Sequence, residues 1–333
     1  MQEYRIAHSE QIWYFIGNTH HRNTDERTLM SSITVVGSIN TDLVIHTPRL
    51  PALGESVIGS GFMTAPGGKG ANQAVAAARL GAAVSMVGCV GDDTFGRQRR
   101  GSLAENGVNV DYVYTDADKP TGTAMITVKD GDNLIVVDPG ANFCLTPAMV
   151  EAAEAAIRDS SVLLVQLEVP YEAVTKAIRL AKKYGVRVLL NPAPARELDN
   201  DTYKMIDILT PNEIECAFLT GIPVGNAGQA FAAAVRLLEK GVASVAVTLG
   251  ENGTVYTDGG GIAHTPAFPV EAVDTTAAGD TFSAALAVAL CEGKGFGEAV
   301  TFANAAAALA VTKKGAQTSL PFRNEVETML RAL

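Results

Sequence analysis

Asp274-Thr275-Thr276-Ala277-Ala278-Gly279-Asp280-Thr281-Phe282 sets an aspartate directly after a run of small residues. The segment that follows, 279–291, is Ala-rich, holds no Pro, and is expected to be a helix. Small side chains let an anionic group come close to the backbone. The first N–H groups of a helix lack carbonyl partners and, with the helix dipole behind them, favour phosphate. Asp280 then stands where a carboxylate can take the proton of an incoming hydroxyl, which suits phosphoryl transfer to an alcohol. The same residues also read as an N-cap Asp on a packed helix, with Gly279 for a tight turn.

Pro66-Gly67-Gly68-Lys69-Gly70-Ala71-Asn72-Gln73-Ala74 opens a second Ala-rich helix, expected to run to about Leu80. It is not a Walker A loop, because Gly70 follows Lys69 where that motif needs Ser or Thr. A dinucleotide fingerprint is also missing. The first strand, 33–39, leads into Asn40-Thr41-Asp42 and not into Gly-x-Gly-x-x-Gly. This argues against a nicotinamide-dependent oxidoreductase.

From Ile33 onward, strand-like and helix-like runs alternate. Val/Ile/Leu-rich strands are expected at 33–39, 84–90, 162–166, 186–190, 206–209 and 242–248, with helices at 147–157, 171–184 and 227–239. This alternation defines an α/β fold, a mostly parallel central sheet between layers of helices. Ligands bind such sheets beyond the carboxyl ends of the strands. Asn40, Asn191, Asn212 and Thr248 all fall at or just past such ends. Residues 43–62 and 112–137 break the rhythm with short alternating strands and no helix between them. They are expected to form a small β sheet, with an extra edge hairpin of the main sheet as the alternative.

The 333 residues, 47% hydrophobic, suffice for one large core. The net charge is −10 and no block of Lys or Arg would track a phosphate backbone, so nucleic acid is not an expected partner. Cys89, Cys144, Cys216 and Cys291 show no Cys-x-x-Cys spacing and read as reduced thiols of a cytoplasmic protein. No apolar run approaches the ~20 residues of a membrane helix. Residues 1–30 differ from the rest. They hold the only Trp and three of the five His, and show no periodic pattern. They are expected to be a poorly ordered extension, with one folded body spanning 31–333, and either Met30 is the true start or residues 1–29 are a lineage-specific addition.

Taken together, several segments resemble the ribokinase family of sugar kinases, also called the phosphofructokinase-B family. They are Gly37-Ser38-Ile39-Asn40-Thr41-Asp42, Gly67-Gly68-Lys69-Gly70-Ala71-Asn72, Gln166-Leu167-Glu168, Asn191-Pro192-Ala193-Pro194-Ala195, Thr210-Pro211-Asn212-Glu213-Ile214-Glu215, Thr248-Leu249-Gly250, Asp274 to Asp280, and Lys314-Gly315-Ala316-Gln317. The resemblance runs from near Ser32 almost to the C-terminus. It implies a ribokinase-like three-layer sandwich with a small β-sheet lid over the sugar, and a homodimer paired through that lid. It also implies ATP-dependent phosphorylation of D-ribose at the 5-hydroxyl.

The resemblance further implies roles for individual residues. Asp280 is the general base, and the N–H groups of Ala277, Ala278, Gly279 and Asp280 form the anion hole. Asn40, Asp42, Gly67, Gly68, Lys69, Asn72 and Glu168 hold the sugar. A carboxylate such as Asp42 selects adjacent hydroxyls through charge-assisted hydrogen bonds, and Asn40 beside it favours a ribose 2-hydroxyl over the deoxy sugar. Asn40 and Asp42 also fit an Asx turn after a strand. Asn212, Thr248, Gly250, Gly253, Gly279 and Asn304 are expected on ATP. Glu215, three residues from Asn212 and on the same helix face, is expected to hold Mg²⁺ through water. A K⁺ site is expected at Asp274, Thr276, Ala310, Lys313, Gly315 and Ser319. The rival readings are a kinase for deoxyribose, a ketose or a nucleoside, and a non-catalytic sugar or nucleotide sensor.

Overall fold

The computed structural model describes residues 32–130 and 132–332. The expectation for residues 1–30 lies outside them. In chain order the strands are β1 (Ser32–Val36), β2 (Asn40–His46), β3 (Ser60–Gly67), β4 (Ala83–Gly91), β5 (Val108–Asp116), β6 (Gly122–Lys129), β7 (Asp132–Asp138), β8 (Val162–Val165), β9 (Arg187–Leu190), β10 (Ile208–Leu209), β11 (Ser244–Thr248), β12 (Thr254–Thr257) and β13 (Ile262–Thr265).

Nine strands make the main sheet, in the order β13-β12-β11-β10-β9-β8-β1-β4-β5. From β11 to β5 neighbours run parallel, and β12 and β13 add an antiparallel edge. Strand direction and burial explain one another. In β8, Leu163 and Val165 enter the core on one face while Val162 and Leu164 enter the core on the other. A strand with both faces covered needs this unbroken apolar run. On one side lie the Ala-rich helices Ala278–Cys291 and Phe296–Ala310. On the other lie Tyr171–Lys183 and Ala227–Glu239. The three layers and mostly parallel sheet agree with the expected fold.

A second sheet has the order β3-β2-β6-β7. Its centre is a parallel pair, β2 with β6, flanked by antiparallel β3 and β7. Phe62, Met63, Met125 and Val136 on this sheet are exposed. Its bounds differ from the sequence reading. Residues 112–116 belong to β5, paired parallel to β4 in the main sheet. As an edge strand β5 is only partly covered, so it alternates much as a small sheet does.

The first strand is also shorter than expected. β1 ends at Val36, and Asn40 starts β2 in the other sheet. Asn40 and Asp42 therefore sit in a paired strand and not in an Asx turn. The expected helix at 147–157 is two short ones, Pro147–Ala152 and Glu154–Arg158, meeting at Ala153.

Candidate active site

β1 is the point where strand order reverses, with β8 on one side and β4 on the other. Such a switch point is where ligands bind past the strand ends, and residues at or just past the ends of β1, β9, β10 and β11 face the helix starts there. The chain turns tightly through Gly37–Ile39 into β2. The helix Lys69–Arg79 begins against this turn, with Ala71 N donating to Ser38 O at 2.9 Å. Gly67 is required by close approach, since a Cβ there would lie 2.2 Å from Asp42 Oδ1. Gly68 caps the helix at φ 89, a conformation that favours glycine.

The helix Ala278–Cys291 starts at the same crevice. Its N-cap, Ala277, is one of two described non-glycine residues with positive φ, at 62. Asp280 is thus the third residue of the helix and not its cap, which corrects the capping alternative. The first helical hydrogen bond runs from Thr281 N to Ala277 O at 2.8 Å. Gly279 N and Asp280 N precede it and have no carbonyl within the helix, which leaves a phosphate-ready helix start. Left-handed Ala stores strain, a feature common where backbone N–H groups are aimed at a ligand.

Asp280 is 5% exposed and held from two sides. Asn72 Nδ2 donates to Oδ2 at 3.0 Å, and Gln73 Nε2 donates to Oδ1 at 2.9 Å. Gln73 Nε2 also reaches Asn191 Oδ1 at 3.1 Å, and Gln166 Nε2 donates to Gln73 Oε1. Asn191 in turn donates to Thr210 O at 3.0 Å. This buried amide network orients the carboxylate while leaving both its oxygens as acceptors only. Asn72 Oδ1 is buried with no partner, an acceptor waiting for a donor.

A cavity of about 180 Å³ lies against this carboxylate. Lys69, Asn191, Thr210, Asn212, Glu215, Thr248, Thr275, Ala277, Ala278 and Gly279 line it together with Asp280. Burial alone would push the Lys69 ammonium down, but Asp280, Glu168 and Glu215 outweigh it and the net shift is upward. Glu168 Oε2 accepts from Ser38 Oγ at 2.5 Å and from Lys69 N at 3.2 Å. It is therefore fixed at the crevice and is not a solvated loop charge.

Asp42 is buried, and no described donor reaches its carboxylate. Burial first, then the neighbouring Glu168 and Asp280, push its carboxyl up to about 6, while Arg99 pulls the other way. Asn40 Oδ1 accepts from Asn142 Nδ2 at 2.7 Å, which fixes its amide and leaves its own Nδ2 as a donor.

Asn212 and Glu215 form a reciprocal capping box. Asn212 Oδ1 accepts from Glu215 N at 2.8 Å, and Glu215 Oε2 accepts from Asn212 N at 2.9 Å. Capping and a ligand role coexist here, because Glu215 is buried in the cavity wall and only one of its oxygens is so engaged. Burial raises its carboxyl, partly offset by Asn212 N–H and Lys69. Among the described residues no cluster of three or more His, Cys, Asp or Glu is placed to hold a metal directly. Thr248 pairs with Asn212 across an isolated bridge, and Gly250–Asn252 and Gly253 follow it.

Asn304 is buried and is not among the residues that line this cavity. Its Oδ1 accepts from Thr254 Oγ1 at 2.7 Å, and its Nδ2 faces the carbonyls of Thr265 and Pro266. The amide is committed to bracing the helix Phe296–Ala310 against β12 and β13. Asp274 Oδ1 accepts from Thr276 N at 2.9 Å and Oδ2 from Gly315 N at 2.8 Å. Val273 N and Asp274 N both donate to Val311 O. These bonds tie the loop before Ala277 to the segment after Ala310. The Lys313 ammonium turns away to Glu325, and Ser319 Oγ donates to Ala316 O.

Gln73, Asn142 and Arg99 were not singled out by the sequence reading. Gln73 stood inside a quoted motif, and its amide beside Asn72 was the available signal.

A buried carboxylate fixed at the open start of a helix, beside a polar cavity and a lysine, defines a phosphotransferase acting on hydroxyl groups. Comparison with known proteins narrows this. Residues 30–323 match the family model for pfkB family carbohydrate kinases. A ribokinase of Bacillus subtilis (strain 168) is 46% identical over 301 residues, 90% of this chain and 100% of that protein. One from Haemophilus influenzae is 45% identical over 298 residues, 89% of this chain and 97% of that protein. The structure of Arabidopsis thaliana ribokinase complexed with ribose and ATP matches with a TM-score of 0.86 at 37% identity, covering 91% of this chain and 99% of that one. The chain belongs to the pfkB family of carbohydrate kinases.

Proposed function

We propose that this enzyme is an ATP-dependent ribokinase, transferring the γ-phosphoryl group of ATP to the 5-hydroxyl of D-ribose. The observation that carries the reading is Asp280, pinned by Asn72 and Gln73 beside unpartnered helix N–H groups. Asp280 accepts the proton of the 5-hydroxyl as the oxygen attacks phosphorus. The unpartnered N–H groups of Gly279 and Asp280, with that of Ala278, which also donates to Thr275 O at 3.3 Å, stabilise the charge on the phosphoryl oxygens, with Lys69 assisting. Asn40, Asp42, Gly67, Gly68, Asn72 and Glu168 hold the sugar. The free acceptors of Asp42 and the unmet Oδ1 of Asn72 are what sugar hydroxyls require.

Asn212, Thr248, Gly250 and Gly253 border the nucleotide. Asn304 acts from behind as a brace. Glu215 would hold Mg²⁺ through water, and the ion would supply neutralisation of the phosphate charge. A K⁺ ion among the carbonyls near Asp274, Thr276, Ala310, Lys313, Gly315 and Ser319 would stiffen the anion hole. The exposed apolar face of the small sheet supports a homodimer through that sheet.

A coupled ADP-release assay over ribose, 2-deoxyribose, fructose and nucleosides tests the reading. Ribose is expected to give the highest kcat/KM. A clear preference for another acceptor would reassign the substrate, and ATP binding without turnover on any sugar would favour a sensor.

A further inference from the structure

We infer that Arg99 is a positioning residue for sugar recognition, acting through Asp42. The inference rests on Asp42 binding the sugar, as proposed above. Arg99 lies on the helix Thr94–Glu105, which packs against β2, the strand that carries Asp42. It is only 9% exposed, and its Nε and Nη1 are buried with no hydrogen-bond partner. No described carboxylate forms an ion pair with it. A guanidinium stays charged in a protein, and a buried charge without a counter-charge is strongly disfavoured.

Asp42 is the acidic group whose field supports Arg99, and Arg99 is the cation that favours ionised Asp42. The other charged groups acting on Asp42 are Glu168 and Asp280, both repulsive. Lys69 answers Asp280, Glu168 and Glu215 instead. Without Arg99, Asp42 would face burial and two like charges with no cation of its own. Protonated, it loses acceptor capacity for a pair of sugar hydroxyls.

The experiment measures KM for ribose and kcat from pH 5.5 to 8.5 in wild type, Arg99→Leu and Arg99→Lys. Removing an opposite charge raises a carboxyl by about one unit or more, so KM of Arg99→Leu is expected to exceed wild type ~5-fold at pH 6 and to converge with it near pH 8.5. Arg99→Lys should restore the wild-type profile, and kcat at saturating ribose should move little. An elevation of KM that is the same at every pH, or a loss confined to kcat, would overturn the inference. Arg99→Gln replaces the Leu variant if that fails to fold. The carboxyl ¹³C signal of Asp42, assigned with Asp42→Asn, reads the same titration without sugar. An unmoved midpoint in the Arg99 variants refutes the role of Arg99 even if ribose proves not to be the substrate. A moved midpoint with no ribose turnover refutes the substrate reading alone.

Discussion

Gln73 donates from Nε2 to Asp280 Oδ1 at 2.9 Å, joining residues 207 apart in the chain. The bond fixes the carboxylate from the first described helix, so Asp280 is aimed by a different element from the one that carries it. A hydrogen bond to a charged group contributes roughly 1.5–3 kcal/mol. Gln73→Ala is therefore expected to lower kcat by about 10- to 100-fold with little change in ribose KM. Steady-state kinetics would show this. A rise in KM at constant kcat would assign Gln73 to sugar binding.

Asp280→Asn keeps shape and removes the base. General-base loss costs about 10²–10⁴ in rate, and kcat should fall by at least that order while calorimetry still detects ribose. Turnover near wild type would remove Asp280 from the proton transfer.

Asp42 should trade stability for function. Its folded-state carboxyl is raised from 3.8 to about 6, so the folded state binds the proton more tightly than the unfolded chain. Its contribution to stability is then fully present below the unfolded value and lost as pH rises through about 6. Above that, keeping it ionised costs on the order of 3 kcal/mol. Asp42→Asn is expected to raise Tm at pH 8, to leave it nearly unchanged at pH 4, and to abolish ribose binding. A lower Tm at pH 8 would contradict the assignment.

Monovalent cations offer a further test. At equal ionic strength, K⁺ is expected to raise kcat several-fold over Na⁺, and Asp274→Ala to erase the difference. Equal rates in K⁺, Na⁺ and tetramethylammonium would exclude a specific cation.

The small sheet should be a self-association surface. Val136→Lys with Met125→Lys is expected to convert a dimer to a monomer in sedimentation, leaving ATP binding intact. A wild-type monomer at all concentrations would end that proposal.

Much of this was legible in the chain. The doubly covered strands announce themselves as Val/Leu runs, as in β8, and the alternation with helices gives the three layers. Asp280, Asn72 and Asp42 stood in short, composition-rich motifs. What stayed hidden depends on distance in sequence. Gln73 orients Asp280, and Asn142 fixes Asn40 from 102 residues away, and neither contact leaves a local pattern. The left-handed backbone at Ala277 carries no glycine to signal it, so Asp280 looked like a possible cap. β5 was assigned in part to the small sheet because a half-covered edge strand alternates in the same way.

Asn40 and Asp42 belong to β2 in the small sheet, while Asp280 belongs to a helix packed on the large one. On the proposed roles the grip on the sugar is split: Asn40 and Asp42 ride on the small sheet, while Lys69, Asn72 and Glu168 share the large body with Asp280, and the chain passes between the two at Gly37–Ile39 and again at Gly67–Gly68. Any tilt between the two sheets changes the distance from hydroxyl to carboxylate. A poorly fitting sugar would then be penalised twice, in how well it is held and in how well it is aimed. Discrimination in such an arrangement is spread over kcat as well as KM, and a pocket that merely admits a sugar does not thereby react with it.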